Sequence, residues 1–401
     1  MKKWFWIILF SILPIPWVII RLSGHFEHLH AFHVAILSGT AIVSASFLLS
    51  WVGEVAQKDI PQAMALAAVA IIAVLPEYAV DMYFAWKAGQ DPQYGHYALA
   101  NMTGGNRLLI GLGWSLIVFL HCFKRKTTHV TIDKSRSLEI FCLIVASLIA
   151  FTTVFTGQIN LIYAVIFLAL FVFYIYHAGK CQVIEPEIHG PQEVLANLED
   201  AKRKTVLVLF LIFCGFIIFI SAEPFAESLI HSGKVLGVDE FLLVQWLAPL
   251  ASESPEFIVA SIFVLNGFTT AGIGCLISSK VNQWTLLVGM IPIAMSLSAG
   301  HVNALHLDPR QTEELLLTTA QSIMAIAIIM DFKFTLTEAI MIFLMFVTQF
   351  FITGEHARIV YSWVYLAMSV IIIGLDKDRR QNFMLLFSFM KNNQSTKLES
   401  K

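Results

Sequence analysis

Long apolar runs dominate the chain, and charged or turn-forming residues separate them. A helix needs about 20 apolar residues to cross the hydrocarbon core of a bilayer, and twelve runs approach that length. The pattern therefore predicts an all-α, polytopic membrane protein with about twelve transmembrane helices. The predicted spans are Trp4–Leu22, Ala31–Val52, Pro61–Trp86, Tyr97–Phe123, Leu138–Phe155, Asn160–His177, Thr205–Leu229, Glu240–Leu265, Ala271–Ala299, Leu315–Met330, Phe334–Ile352 and Ile359–Gly374.

Composition agrees with this pattern and narrows the expected partners. Hydrophobic residues make up 57% of the 401 residues and charged residues 13%, whereas about a quarter of a soluble domain is charged. The net charge of −2 offers no basic surface for nucleic acid, so the lipid bilayer is the expected partner. The five cysteines never approach CxxC spacing and are interpreted as packing residues, and we expect no cofactor.

Basic residues indicate how the chain is oriented. Lysine and arginine concentrate in cytoplasmic connections, and with twelve spans the basic clusters near Lys2, Lys124–Arg136, Lys180–Lys204 and the tail from Lys377 fall on one side. Both termini are therefore expected to be cytoplasmic.

Two spans carry a Pro-Glu pair, at Glu77 and at Glu256. Proline disrupts a helix and frees a carbonyl oxygen four residues earlier, and carbonyl and carboxylate oxygens are both cation ligands. The second pair lies five spans after the first, an odd offset that makes the two helices run in opposite directions. Inverted repeats of this kind place an ion site near the midplane of secondary transporters.

A small-residue span follows each pair, ALANMTGGNRLLIGLG from Ala98 and AGIGCLISSKVNQWTLLVG from Ala271. With these segments the sequence resembles the cation/calcium antiporter superfamily, whose two alpha repeats resemble GTSLPE followed by GNxxGSNxxN. The resemblance implies inverted five-helix repeats plus one extra helix at each end, and a secondary active cation antiporter rather than an enzyme. The implied segments are an N-terminal extra helix (1–30), a first exchanger half (31–178), a cytoplasmic linker (179–204), a second half (205–353) and an extra helix with a cytoplasmic tail (354–401).

The resemblance also implies the ion ligands. Glu77 and Glu256 stand at the family's central glutamates, and the full implied set is Glu77, Glu256, Glu253, Ser252, Gln283 and Asn106. The sequence departs from the motif at several matching positions. Its Thr-Ser pair is replaced by Ala73 and Val74 in the first repeat and by Ser252 and Glu253 in the second, its serine by Gly105 in the first, one asparagine by Lys280, and its last ligand by Leu109 and Gln283.

Three further charges, Lys280, Arg107 and Asp81, lie inside predicted spans, where charges are costly and usually functional. We expect them to act in proton coupling or as internal charges. With both basic groups in the cavity, the three glutamates retain about one net negative charge, which favours monovalent cations or protons over calcium.

Other interpretations stay open. Asp81, one helical turn after Glu77, is expected to pair with Arg107, and the glutamates themselves can form structural ion pairs in a non-transporting scaffold or sensor. The cluster of histidines from His25 to His33 is a possible transition-metal site without a recognised spacing. An enzyme is disfavoured because HExxH and GxSxG are both missing from the sequence. Sodium, calcium and protons remain candidate ions, and the oligomeric state is open.

Overall fold

The computed structural model describes residues 2–56, 58–59, 75–179, 188, 190–352 and 354–386, and these are predominantly helical. Within the described residues, ten helical segments are long and apolar enough to cross a membrane. The predicted third span is described only from Leu75, and the predicted eleventh is the shorter apolar segment Leu336–Phe351. The all-α prediction is confirmed, while the count of twelve spans stays a prediction.

The helices are labelled in chain order. They are α1 (Lys2–Ile12), α2 (Ile15–Leu22), α3 (Ala31–Ala56), α4 (Leu75–Ala88), α5 (Tyr94–Leu108), α6 (Ser115–Arg125), α7 (Ser137–Thr156), α8 (Leu161–Ala178), α9 (Glu193–Ala196), α10 (Asp200–Leu236), α11 (Glu240–Asn266), α12 (Thr269–Asn282), α13 (Val288–Ala299), α14 (Pro309–Ile329), α15 (Leu336–Thr348), α16 (Glu355–Leu375) and α17 (Lys377–Leu386). Two π-helical segments, Leu109–Trp114 and Gln283–Leu287, continue α5 and α12. Short 3₁₀ turns cover His25–His28, Lys134–Arg136 and Gln349–Phe351.

In the part of the chain that the structure describes, four very short strands accompany the helices: β1 (His129–Thr131), β2 (Gln158–Ile159), β3 (Leu305–His306) and β4 (Lys333–Thr335). β1 pairs antiparallel with β4, with Val130 opposite Phe334, and β2 pairs antiparallel with β3. These pairs join connections between helices and leave the fold class unchanged.

The chain forms two compact units, and each takes segments from both predicted exchanger halves. Unit 1 consists of Met1–Gly105, Ile175–Val259 and Met290–Asn303. Unit 2 consists of Asn106–Tyr174, Ala260–Gly289 and Ala304–Lys401. The boundaries of the two exchanger halves stay a prediction from the sequence repeats.

In unit 1, α3 packs along α10 over a buried apolar core that includes Leu48 and Ile217. The N-terminal span is two helices rather than one, because Pro14 lacks the backbone N–H that a continuous helix needs. Its second helix is attached to α10 by the buried Trp17, whose indole N–H donates to the hydroxyl of Ser221 at 2.9 Å.

Part of the connection before α10, the predicted cytoplasmic linker, packs against the core of unit 1. Its short helix α9 buries Leu195 against the core of α3 and α10, and α10 begins at Asp200, ahead of the predicted start at Thr205. Arg203 fixes this end of α10 with two hydrogen bonds to Asp59, at 2.6 and 2.8 Å. These bonds hold the pKa of the Asp59 carboxyl below its usual value.

In unit 2, α14 packs against α7 and α16. Asp308 and Gln311 form a capping box at the start of α14, with Pro309 in its first turn. This cap starts the helix two turns before the predicted span and brings Glu313 and Glu314 inside it, where both side chains are buried.

Candidate functional site

The Pro-Glu segment of the first repeat opens the described part of α4. Glu77 lies in its first turn directly after Pro76 and is 4% exposed, and Asp81 follows one turn later at 0%. Neither carboxylate oxygen of Asp81 accepts a hydrogen bond from the described residues. Asn101 of α5 lies beside Asp81, and its amide oxygen likewise accepts none within the described chain. Ala73 and Val74, at the motif's hydroxyl positions, lie outside the described residues.

The Pro-Glu segment of the second repeat lies inside the long helix α11, which contains Pro249 and Pro255. Ser252 is buried, and its hydroxyl donates to the carbonyl oxygens of Ala248 and Pro249, both at 3.2 Å. Proline at 255 cannot donate to the carbonyl of Ala251, which instead accepts a hydrogen bond from the Ser254 hydroxyl at 3.4 Å. This turn of α11 therefore offers oxygen atoms of three kinds: carboxylate, hydroxyl and backbone carbonyl.

Glycines of α5 explain how the additional carboxylate, Glu253, is accommodated. A Cβ atom on Gly105 would lie 2.5 Å from Oε1 of Glu253, and one on Gly104 would collide with the backbone oxygen of Gln245. Glu253 itself is 1% exposed. Gly105 stands where the family motif has serine, so the loss of that side chain makes room for the carboxylate.

A shared apolar core joins the helices that carry these groups. It contains Val80 of α4, Ala98 of α5 and Ala248 of α11, all at most 1% exposed. Unit 1 therefore holds the acidic helices of both repeats. Among the described residues, no three His, Cys, Asp or Glu side chains converge as a metal-binding group.

In unit 2, equivalent residues of the two repeats meet. Lys280 donates from Nζ to Oδ1 of Asn106 at 2.6 Å and lies 4.4 Å from the ring centroid of Trp284. Asn106 and Lys280 are 174 residues apart. The same interval separates Leu109 from Gln283, where the two π-helical segments begin. Since π-helical turns are rare and frequent at functional sites, their matched positions support the internal repeat independently of side-chain identity.

Arg107 belongs to a buried charge network that the sequence did not predict. Its guanidinium donates to Glu314 at 2.5 Å and to the side-chain oxygen of Gln349 at 3.1 Å. Arg358 of α16 donates to the other oxygen of Glu314 at 2.6 Å and lies 3.5 Å from Glu313. Two arginines and two glutamates therefore balance each other inside unit 2.

This network corrects two expectations. The predicted pair of Asp81 with Arg107 is wrong, since the oxygens of Asp81 accept no hydrogen bond from the described residues. The charge count that placed Arg107 against the ion-binding glutamates is also wrong, because Glu314 neutralises it. The missed signal was the Asp-Pro pair at 308–309, a helix start that places Glu313 and Glu314 within the span.

Comparisons with known proteins match most of the chain. Residues 30–180 and 206–354 match the family described as sodium/calcium exchanger protein. The crystal structure of the H⁺/Ca²⁺ exchanger CAX shares 45% sequence identity, covers 98% of this chain and 99% of its own, and superposes with a TM-score of 0.93.

More distant structures share the fold. Native YfkE is 15% identical, covers 89% of this chain and 99% of its own, and has a TM-score of 0.60. A structure of the sodium-calcium exchanger NCX_Mj, soaked with Na⁺ and Sr²⁺, is 15% identical over 81% of this chain and 98% of its own, with a TM-score of 0.54. No curated protein matches the sequence.

Proposed function

Because this chain belongs to the sodium/calcium exchanger protein family, we propose that it exchanges calcium ions for protons across a membrane by alternating access. Membership confirms the resemblance drawn from the two Pro-Glu repeats. The family and the ten apolar helices make the chain an integral membrane transporter homologue. The cytoplasmic placement of both termini stays a prediction.

The ion pair between Arg107 and Glu314 is the main observation that supports calcium as the proposed ion. With Arg107 neutralised elsewhere, Glu77, Glu253 and Glu256 retain at least two net negative charges even when Lys280 is counted against them. A calcium site is built from six to eight oxygens, several of them charged. The carbonyl of Ala251 accepts the Ser254 hydroxyl at 3.4 Å and has a second lone pair to add to these carboxylates. The relative of 45% identity is named as an H⁺/Ca²⁺ exchanger, which supports the same ion pair.

The remaining ligands are proposed from the family motif. Ser252 lies one residue before Glu253 with its hydroxyl donating to its own helix, which leaves oxygen lone pairs for a cation. Asn106 and Gln283 are buried amides at motif positions and are proposed as further ligands.

For the proton, Asp81 is the favoured carrier over Lys280. Asp81 is fully buried, where an ionised carboxylate costs a large free energy, whereas a protonated Asp81 can donate to the amide oxygen of Asn101 beside it. Lys280 instead makes contacts typical of an ammonium ion, to the side-chain and backbone oxygens of Asn106 and to an aromatic face. We therefore assign Lys280 as a fixed internal charge.

The proposed ion pair predicts a specific pattern of fluxes. Purified protein in sealed vesicles is expected to take up calcium when an outward proton gradient is imposed, and to stay inactive when only a sodium gradient is imposed. A screen with sodium, potassium, calcium and manganese as transported ions measures this directly. Sodium-driven uptake would contradict proton coupling, and the absence of any flux would favour the non-transporting scaffold.

Asp81→Asn is expected to affect two transport modes differently: calcium uptake driven by protons, and exchange of calcium for calcium. The amide cannot gain or lose the carried proton, so proton-driven calcium uptake should be lost while exchange of internal calcium for isotopic calcium continues. Lys280→Asn is the matched comparison and should retain both modes with altered calcium affinity. If the Asp81→Asn variant keeps proton-driven calcium uptake, Asp81 is not the proton carrier.

A further inference from the structure

Two adjoining cavities form a groove along the outside of α3 and α10 in unit 1. Their volumes are about 400 and 350 Å³, and Phe32, Ser232 and Leu236 line both of them. His30 and His33 line one end, and Thr40 and other residues of α3, α10 and α11 line the remainder. We call this feature the α3–α10 groove.

The dimensions of the groove fit one leaflet of a bilayer. Its wall on α10 runs from Leu236 to Phe225, which at 1.5 Å per residue is about 16 Å. The hydrocarbon core of a bilayer is about 30 Å thick, so the wall is as deep as one leaflet. Phe32 and Leu236 are 53% and 64% exposed, so the mouth of the groove opens away from the protein.

Ser232 supplies a polar group that the protein leaves without a partner. Ser221 and Ser228 on the same helix donate to carbonyl oxygens of α10, at 2.5 and 2.8 Å. Ser232 is 6% exposed, yet its hydroxyl has no hydrogen-bond partner among the described residues, and it lines both cavities. A buried unpaired hydroxyl is unfavourable, and a ligand oxygen in the groove would satisfy it.

The two histidines add donors at the open end. The backbone N–H of Phe32 donates to Nδ1 of His30 at 3.4 Å. In a neutral imidazole this places the proton on Nε2, which is then available as a donor. The groove therefore has imidazole donors at its mouth, a hydroxyl donor about one turn inside, and apolar walls beyond.

From this order of groups we propose that the α3–α10 groove binds a glycerophospholipid. The phosphate contacts His30 and His33, the hydroxyl of Ser232 donates to an ester carbonyl, and one acyl chain fills the apolar part as far as Phe225 and Thr40. A lipid presents these three chemistries in the same sequence, from the membrane surface inward. The proposal does not depend on which ion the protein transports.

A photoactivatable phosphatidylglycerol, with its reactive group on one acyl chain, tests the site in the full-length protein reconstituted in nanodiscs. Mass spectrometry is expected to find labelled peptides concentrated in α3 and α10. Ser232→Ala should lower labelling by about fivefold, the effect of one lost hydrogen bond. Ala35→Phe should block the groove, and Leu247→Phe tests the same blockage from α11 if the first variant fails to fold.

The double variant His25→Ala/His28→Ala is the matched control, because these histidines belong to the same sequence cluster and do not line either cavity. It should label like the wild type, whereas His30→Ala/His33→Ala should label less. Labelling spread evenly over all spanning helices, or unchanged by Ser232→Ala and by both filling variants, would overturn the proposal. If His30→Ala/His33→Ala lowers the labelling by a lipid without a phosphate as much as the labelling by phosphatidylglycerol, the histidines do not bind the phosphate. That result would contradict this part of the proposal.

Discussion

Replacement of Glu256 by glutamine is expected to abolish exchange, lowering calcium flux by about 100-fold or more, the upper range for disturbing a metal site. Glutamine keeps the size of the side chain and removes its charge, so the proline-disrupted turn of α11 is preserved. Both proton-driven uptake and calcium–calcium exchange should disappear, in contrast to Asp81→Asn. Radioactive calcium uptake into vesicles measures both modes.

Two comparisons make this result specific. Glu199→Gln changes a carboxylate that is 76% exposed and bonded to Lys202, so it should leave the flux unchanged. Gln283→Ala should weaken calcium affinity while retaining a measurable rate, since it removes a neutral ligand only. Wild-type flux in Glu256→Gln would exclude the Pro-Glu glutamate of the second repeat from the ion site.

Glu314→Gln is expected to destabilise the protein by about 3–5 kcal/mol, the usual cost of removing one partner from a buried ion pair. Glu314 accepts from both Arg107 and Arg358, and its side chain is 2% exposed. The variant leaves the buried guanidinium of Arg107 facing a neutral amide, and Arg358, which is 12% exposed, keeps only its contact with Glu313 from the pair of glutamates. Unfolding in mixed detergent micelles, followed by intrinsic fluorescence, measures the change in the free energy of unfolding.

An exposed pair provides the control for this stability change. Glu223 lies 3.5 Å from Arg21 and is 51% exposed, so Glu223→Gln should cost about 0–1 kcal/mol. The double variant Glu314→Gln/Arg107→Met should lose less free energy of unfolding than the sum of the two single variants. The double change removes both members of the buried ion pair, so neither is left without its partner. Additive losses would show that Arg107 and Glu314 contribute independently.

The positions of most helices were predictable from the sequence, because spans of apolar residues must satisfy their backbone groups internally and so form helices. The Pro-Glu pairs at corresponding positions, with the small-residue spans that follow them, were sufficient to predict the repeat and its family. The ends of spans were less predictable. The cap at Asp308 and Pro309 moves one start by two turns, and Pro14 divides the first span into two helices.

The charge partners were not predictable from spacing. Asp81 is near Arg107 along the chain, yet Arg107 bonds to Glu314, which is 207 residues away. Helical periodicity identifies neighbours on one helix and carries no information about which carboxylate a second helix supplies. The correction matters for the proposed function, because it changes the ion that we propose from a monovalent cation to calcium.

Simultaneous recording of calcium and internal pH in sealed vesicles, with the membrane potential clamped, is the most direct test of proton-coupled calcium exchange. On addition of external calcium, the wild type is predicted to release internal protons as calcium enters, and reversal of the pH gradient should reverse calcium movement. Glu256→Gln should show neither signal. Calcium entry without accompanying proton movement, or entry that requires internal sodium, would contradict the account.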